Sequence, residues 1–115
     1  MFMESNLPVT MPALALRGLT VFPNMLLHFD VGREASIKAL DEAMTTGQPV
    51  FLVAQRDLSV ESPQLNDLYT IGTICNVRQI LRLPGDNVRV MVEGVSRGRM
   101  HSLPQTSPYL MAELE

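Results

Sequence analysis

Two runs of alternating apolar and polar residues, on either side of the turn sequence Pro-Gly-Asp-Asn, restrict the fold of this chain more than any other feature. The first run covers residues 71–83, the turn sequence covers residues 84–87, and the second run covers residues 88–92. A period of two residues is typical of a β-strand with one covered face, and proline and glycine between two such runs favour a chain reversal. The segment therefore predicts a β-hairpin.

The register of this hairpin decides which side chains share a face. A loop of two or of four residues places Leu83 opposite Val88 in either case. The predicted inner face is then apolar and consists of Leu81, Leu83, Val88, Val90 and Val92. The predicted outer face is mixed, with Arg82 beside Arg89, Ile80 beside Met91, and Arg78 beside Glu93.

The outer face of the hairpin supplies the candidate contact residues, which are Ile80, Met91, Arg78, Arg82 and Arg89. If this face is exposed, Ile80 and Met91 form a small apolar spot rimmed by charge, suited to contact with another polypeptide. If the helix or another strand covers the face, Ile80 and Met91 belong to the core instead.

One segment, residues 33–45, has the pattern of an amphipathic helix. Ile37, Leu40 and Met44 recur at helical spacing, and Gly47 suits a C-terminal cap. Apolar runs of strand length occupy residues 11–16, 25–31 and 50–55, and further strands are expected at residues 99–103 and towards residue 115. The run at 50–55 is continuous, as expected for a strand covered on both faces.

The length of 115 residues is that of one domain. We therefore expect a single β-rich α+β domain over residues 1–115, with one helix. The opening residues lack the pattern of a signal peptide, and no apolar run is long enough to cross a bilayer. A cytoplasmic protein without a membrane partner is expected.

Motifs that carry catalysis are missing from the sequence. It contains no glycine-rich phosphate loop, no designated pair of nucleophile and base, and no recognised metal-ligand spacing. Cys75 is the only cysteine, which excludes an internal disulfide, and its place in an alternating run predicts a small buried apolar group. We expect a non-enzymatic chain without a cofactor or metal of its own.

The hairpin arginines raise the alternative of a nucleic-acid surface, formed by Arg78, Arg82, Arg89, Arg97 and Arg99. Such surfaces combine basic stripes with aromatic platforms, and no aromatic residue lies between residues 81 and 101. The formal net charge of −3 and the isoelectric point near 5.3 also differ from the usual basic footprint. A solvated hairpin face is the favoured interpretation, and nucleic acid is not an expected partner.

Four segments, LALRGLTVFPNM, FDVGREASIKALDEAM, VFLVAQRD and LNDLYTIGTICNVRQILRLPGDNVRVMVEGVSRGRM, follow one another with little insertion. In this order they resemble the amino-terminal, substrate-binding domain of the bacterial ATP-dependent Lon protease family. The resemblance extends over nearly the whole chain from about Leu7. Ala15 and His28 depart from it, since each stands where the family commonly has proline.

The resemblance implies a PUA-like pseudo-barrel of short, mostly antiparallel strands that acts in substrate recognition and in hexamer assembly. It implies that a helical extension, an ATPase module using ATP and Mg²⁺, and a Ser-Lys protease lie outside this chain. The expected partners are unfolded, damaged or tagged protein clients and other Lon subunits. The alternative function is an RNA-binding PUA-like module that uses the hairpin arginines, and it differs from client binding in its dependence on salt.

Overall fold

The computed structural model describes residues 9–115, which form six β-strands and one α-helix. In chain order the elements are β1 (Val9–Leu16), β2 (Leu26–Val31), α1 (Glu34–Thr46), β3 (Val50–Ala54), a 3-10 helix (Leu65–Asp67), β4 (Ile71–Arg82), β5 (Val88–Gln105) and β6 (Leu110–Leu114). The predicted β-rich α+β class with a single α-helix is therefore confirmed for this part of the chain. Residues 1–8, which contain the start of the resemblance at Leu7 and most of the opening segment, lie outside the described residues. Within residues 9–115, no helix combines the length and apolar composition needed to span a membrane.

The six strands form one sheet that closes into the predicted pseudo-barrel. The strand order is β2-β5-β4-β3-β1-β6, and β6 also pairs with the second half of β5. Five strands thus form a ring, and β2 lies outside it along the first half of β5. Strands β1 and β3 are parallel and the other pairs are antiparallel, which confirms the expectation of mostly antiparallel strands.

Two apolar cores lie on opposite faces of the sheet, because β1 and β3 bury both of their faces. In β1, Leu14 belongs to the core shared with the helix, while Ala13 belongs to the core inside the ring. In β3, Leu52 and Phe51 divide between the two cores in the same way. The continuous apolar run at residues 50–55 is therefore a strand covered on both faces, as predicted.

The helix begins at Glu34 and ends at Thr46, one residue later at each end than predicted. Gly47 has a left-handed φ of 74° and donates its N–H to the carbonyl of Ala43, which confirms the predicted cap. The buried stripe consists of Ser36, Ala39, Leu40 and Ala43. Met44 was expected on the apolar face but is 48% exposed. That prediction is wrong because the helix packs through its small side chains, and this orientation directs Met44 to solvent.

The turn of the hairpin contains three residues rather than two or four. The N–H of Leu83 donates to the carbonyl of Asn87 over 2.8 Å, which leaves Pro84, Gly85 and Asp86 in the loop. Gly85 and Asp86 adopt left-handed φ values of 80° and 67°, a region that favours glycine and that aspartate enters more readily than most residues. A loop of three residues shifts the strand pairing by one residue from the predicted register.

The pairing of β4 with β5 corrects the predicted faces of the hairpin. Ile80 lies opposite Val90, and Leu81 lies opposite Arg89. Because a slip of one residue moves each side chain to the other face, Ile80 packs against the core and Leu81 is 47% exposed. The outer position predicted for Ile80 and the inner position predicted for Leu81 are both wrong, whereas the valines of β5 at 88, 90 and 92 are buried as predicted.

Candidate functional site

The five residues predicted as contacts do not share one face of the hairpin. The outer face carries Arg78, Arg89 and Met91, and the opposite face carries Ile80 and Arg82. The shifted register and a β-bulge at Arg78 separate the two groups. The predicted apolar spot, in which Ile80 lies beside Met91, is therefore wrong. A contact role for the individual residues stays a prediction.

Three of the five hairpin arginines, Arg78, Arg82 and Arg89, have a carboxylate partner. The pairs are Arg78 with Glu93 (Nε to Oε1, 2.8 Å), Arg89 with Asp30 (Nε to Oδ1, 2.7 Å) and Arg82 with Asp41 (Nη2 to Oδ1, 3.4 Å). Arg78 contacts Glu93 as predicted, although the residue opposite Glu93 in the strand register is Asn76. The predicted opposition of Arg82 to Arg89 is wrong. The hydrogen bond from Arg89 is the main cause that holds the pKa of Asp30 below its usual value. The charges of these arginines are thus compensated within the protein.

A second surface lies where the loop between β1 and β2 meets β5. The N–H of Asn24 donates to the carbonyl of Gly94 over 2.9 Å, and the N–H of Gly94 donates to the carbonyl of Met25 over 2.8 Å. Four exposed apolar side chains lie around this crossing, namely Phe22, Met25, Leu26 and Val95, with exposed fractions of 47%, 36%, 63% and 49%. These four residues are called the loop-rim surface below.

Close backbone contact fixes the loop on the sheet. A Cβ atom on Gly94 would overlap the carbonyl oxygen of Phe22 and would lie 3.1 Å from its carbonyl carbon, so this position requires glycine. The buried hydroxyl of Thr73 donates to the carbonyl of Val21 over 2.5 Å. Asn24 supplies the left-handed turn, with a φ of 67°. The apolar side chains are consequently displayed on backbone with a defined position.

Arginine side chains cover aromatic rings next to the loop-rim surface. The guanidinium carbon of Arg97 lies 5.1 Å from the ring centre of Phe22, and that of Arg56 lies 4.7 Å from the ring centre of Tyr69. Such stacking combines apolar contact with the attraction between a cation and the ring face. Arg56, Tyr69 and Ile71 also border a shallow cavity of about 590 Å³.

Sequence reasoning predicted only a break between two strands at the loop-rim surface. An aromatic residue followed by proline, as at Phe22, is a signal that could have located it, because a large apolar side chain in a turn lacks an evident place in the core. The partner of the loop, Gly94, lies far along the chain and shows only as a glycine within a strand pattern. It accompanies a bulge at Val95 within the continuous strand β5, where a bend before a separate strand was expected.

Cys75 is buried in the core beside the helix, as predicted. Burial raises the pKa of its thiol to about 12, so the thiolate that a nucleophile requires is scarce near neutral pH. Among residues 9–115, no group of three or more His, Cys, Asp or Glu side chains gathers in a way that could hold a metal ion.

Sequence comparison identifies relatives along almost the entire chain. The family model described as the ATP-dependent protease La (LON) substrate-binding domain matches residues 10–115. The Lon protease of Clostridium acetobutylicum is 51% identical over 104 residues, which are 90% of this chain and 13% of that protein. The Lon protease of Haemophilus influenzae is 43% identical over 112 residues, which are 97% of this chain and 14% of that protein. The chain therefore spans about one seventh of the length of these relatives.

Solved structures share the fold. The N-terminal domain of Mycobacterium avium complex Lon protease has a TM-score of 0.70 at 19% identity, and the match covers 93% of this chain and 54% of that one. The Lon N-terminal domain protein from Xanthomonas campestris also has a TM-score of 0.70, at 12% identity, and the match covers 93% of this chain and 59% of that one. The pseudo-barrel predicted from sequence is thus the fold of these domains.

Proposed function

The chain belongs to the family of substrate-binding domains of the ATP-dependent protease La (Lon), and from this premise we propose that it captures unfolded or damaged proteins through the loop-rim surface. The observation that carries the proposal is the exposure of Phe22, Met25, Leu26 and Val95 on backbone fixed by Gly94. Unfolded chains differ from folded ones in offering apolar side chains and free backbone groups. An apolar surface with a defined position binds the apolar side chains of unfolded chains.

The expected affinity of one copy is low. Complete burial of an exposed leucine or phenylalanine contributes roughly 1.5–3 kcal/mol, so these half-exposed side chains contribute on the order of 1 kcal/mol each. Four such contacts supply about 4 kcal/mol before the entropy cost of association is subtracted, so a Kd of about 1 mM is the tightest that these contacts alone allow for one copy. Several copies acting on one client raise the apparent affinity without any new contact.

The free edge of β2 supports the same function. Within residues 9–115, β2 pairs with β5 alone, so the backbone groups along its other side are available to an added strand. Leu26, the most exposed large apolar residue of the loop-rim surface, is also the first residue of β2. An extended client can therefore hydrogen-bond to the edge while its side chains contact the loop-rim surface.

Client binding is favoured over RNA binding by the ion pairs of the hairpin. A phosphate contact at Arg78, Arg82 or Arg89 competes with the carboxylate that each already engages. We propose accordingly that nucleic acid is not the partner. Client binding that persists at high salt supports this assignment, and binding that falls steeply with salt supports the RNA alternative.

The remaining parts of the function are proposed for the longer protein. Because the chain covers 13–14% of relatives named Lon protease, we place ATP, Mg²⁺ and peptide hydrolysis outside it and assign this segment a non-catalytic role. Other copies of the whole protein are its proposed assembly partners. A cytoplasmic location stays a prediction.

The test replaces Phe22 and Leu26 by serine and measures binding of a fluorescently labelled, reduced and alkylated protein by anisotropy. Losing two contacts of about 1 kcal/mol each lowers affinity roughly 30-fold. The matched control replaces Leu58 and Leu65, which are 52% and 43% exposed in the loop between β3 and β4. Thermal unfolding of both variants verifies that they are folded.

Retained affinity in the control and loss in the Phe22 and Leu26 variant support the proposal. Equal affinities of wild type and both double variants would falsify the role of the loop-rim surface. Equal losses in both double variants contradict it too, because they indicate that general surface hydrophobicity governs binding.

A further inference from the structure

A cavity of about 560 Å³ opens at the end of β1, beside the start of α1, and its walls are apolar on one part and polar on another. Leu14 and Leu16 from β1, Leu19 from the following loop and Phe29 from β2 form the apolar part. A volume of this size is typical of sites that enclose a small ligand or a few atoms of a larger one. Apolar walls favour a ligand that brings an apolar group with it.

Two guanidinium groups stand at the same cavity. Arg17 directly follows β1, and Arg33 directly precedes α1. Within residues 9–115, neither arginine forms an ion pair, and Arg33 donates instead to the side-chain oxygen of Gln55. The carboxylate that also lines the cavity belongs to Asp30, which is engaged by Arg89. The cavity therefore carries two guanidinium groups that hold no carboxylate in an ion pair, and Glu61 is the acidic residue whose charge acts on Arg33.

The two positive charges also act on each other. Partial burial lowers the pKa of Arg33, and the charge of Arg17 lowers it further, while Glu61 acts weakly in the opposite direction. Both burial and the repulsion from Arg17 make the positive charge of Arg33 less favourable. An anion bound between the two guanidinium groups stabilises both positive charges. Charge complementarity thus favours an anionic ligand over a neutral or cationic one.

A buried hydroxyl without a partner faces the same cavity. Ser36, in the first turn of α1, is only 8% exposed and lines the cavity. Its hydroxyl makes no hydrogen bond to another residue in 9–115, and its oxygen is not sealed off from the cavity. Because the oxygen is open to the cavity, the hydroxyl can donate a hydrogen bond to a ligand that enters it. The first N–H groups of α1 lie beside this hydroxyl, and the side chain of the N-cap residue, Arg33, does not hydrogen-bond to them.

We propose that this cavity binds the C-terminal residue of a polypeptide, with its carboxylate between Arg17, Arg33 and Ser36 and its apolar side chain against the leucine walls. The proposal rests on the proposed function of client capture and names a chemical group that the client offers. Guanidinium groups recognise carboxylates through paired, charge-assisted hydrogen bonds. Inorganic phosphate satisfies the charges but leaves the apolar walls without a partner, so it is the weaker ligand.

The position of the cavity lets it act together with the loop-rim surface. The loop that leaves β1 at Arg17 lines the cavity through Leu19 and reaches the loop-rim surface at Phe22. The other end of β1, where Val9 pairs with Leu114, lies about 23 Å away along eight residues of strand. Glu115, whose N–H donates to the carbonyl of Arg99, is adjacent to that distant end and does not fill the cavity.

The test titrates the protein with a short acetylated peptide ending in leucine, offered as the free acid and as the C-terminal amide. Backbone amide signals followed by NMR report both affinity and location, and inorganic phosphate serves as a third probe. We expect the free acid to bind roughly tenfold or more tightly than the amide, because a charged hydrogen bond contributes more than a neutral one. Shifts should concentrate at Arg17 and Ser36.

Two variants and one control complete the design. Arg17→Gln and Ser36→Ala should each weaken binding of the free acid and leave the weak binding of the amide unchanged. Arg99→Gln, which removes an exposed arginine elsewhere on the protein, should retain the preference for the free acid. Equal binding of acid and amide overturns the proposal. Phosphate binding tighter than the free acid overturns it as well, because it indicates a site for a small inorganic anion.

The result of the peptide titration can be distinguished from the result of the test for client capture. If unfolded protein binds through the loop-rim surface but the peptide acid shows no preference, the cavity proposal fails and the proposed function stands. If the peptide acid binds at Arg17 while unfolded protein binds neither wild type nor variant, client capture fails and the carboxylate site stands.

Discussion

Gly94→Ala tests whether the contact between the β1–β2 loop and β5 both stabilises the fold and displays the loop-rim surface. The new Cβ atom would overlap the carbonyl oxygen of Phe22 and lie 3.1 Å and 3.2 Å from the carbonyl carbon of Phe22 and the Cα of Pro23. These are backbone atoms, so relief requires the loop to move. Movement breaks the hydrogen bonds that Gly94 makes with Asn24 and Met25, of 2.9 Å and 2.8 Å.

The magnitude follows from these two hydrogen bonds and the packing around them. Each bond contributes about 1 kcal/mol, and residual overlap costs roughly another 1 kcal/mol, so the free energy of unfolding should fall by about 2–3 kcal/mol. For a domain of this size the midpoint of thermal unfolding should fall by on the order of 10 °C. Binding of unfolded protein should weaken under conditions where the variant is still folded, because the apolar side chains lose their common position.

Gly98→Ala, in the same strand, is the matched control. Its Cβ would lie 3.3 Å from the Cε1 atom of Phe51 and 3.4 Å from the Cδ1 atom of Ile74, which are side-chain rather than backbone atoms. Phe51 is fully buried, so the relief comes mainly from the flexible end of Ile74. We expect a loss below about 1 kcal/mol and unchanged client binding. Urea unfolding followed by circular dichroism gives both stabilities. A Gly94→Ala variant as stable as wild type, with normal client binding, would show that the loop does not depend on close approach to β5.

Three further predictions concern the hairpin and the buried thiol. Ile80→Ser should lower the free energy of unfolding by about 1–2 kcal/mol and Met91→Ser by less than about 0.5 kcal/mol, because of these two residues only Ile80 packs against the core. Equal losses of stability in urea unfolding contradict the observed register. Burial raises the pKa of Cys75 to about 12, so the free energy of unfolding should fall as pH rises above 9, where the thiol of the unfolded chain ionises first. A thiol reagent should react with Cys75 at pH 8 only after unfolding, and rapid reaction of the native protein contradicts this. Arg89→Gln should raise the pKa of Asp30, measured by NMR titration of its carboxyl carbon, and an unchanged value contradicts the role of the hydrogen bond.

The elements of the fold were predictable because their signals are local. Helical spacing and the cap at Gly47 locate α1 to within one residue, and the continuous apolar run of β3 predicts burial on both faces. The pairing register was not predictable in the same way, because one extra residue in the loop reverses every face of the partner strand. The last two loop residues, Gly85 and Asp86, tolerate the left-handed conformation that a three-residue loop uses here, and the sequence does not distinguish loops of two, three and four residues.

The loop-rim surface depends on contacts that no local pattern contains. Phe22 and Leu26 are exposed because Gly94 and Thr73, which are distant in sequence, hold the intervening backbone against β4 and β5. A sequence window around Phe22 shows only a turn with apolar neighbours. The exposure of an apolar side chain in a loop is thus a property of tertiary structure, even where the identity of the side chain is evident.

The arginines show most directly why a candidate site needs the fold. The sequence predicts that Arg78, Arg82 and Arg89 share one mixed face of the hairpin, whereas the sheet places them on two faces and gives each a carboxylate, two of which come from β2 and α1. No sequence pattern predicts that Arg17 and Arg33 meet, yet the turn from β1 through β2 to α1 brings both to one cavity without an ion pair among residues 9–115. A guanidinium group that already holds a carboxylate gains little free energy from binding a second anion. Arg17 and Arg33 hold no carboxylate in an ion pair among residues 9–115, so they gain more from binding one. Topology, rather than the local density of arginine, therefore decides where this protein can bind negative charge.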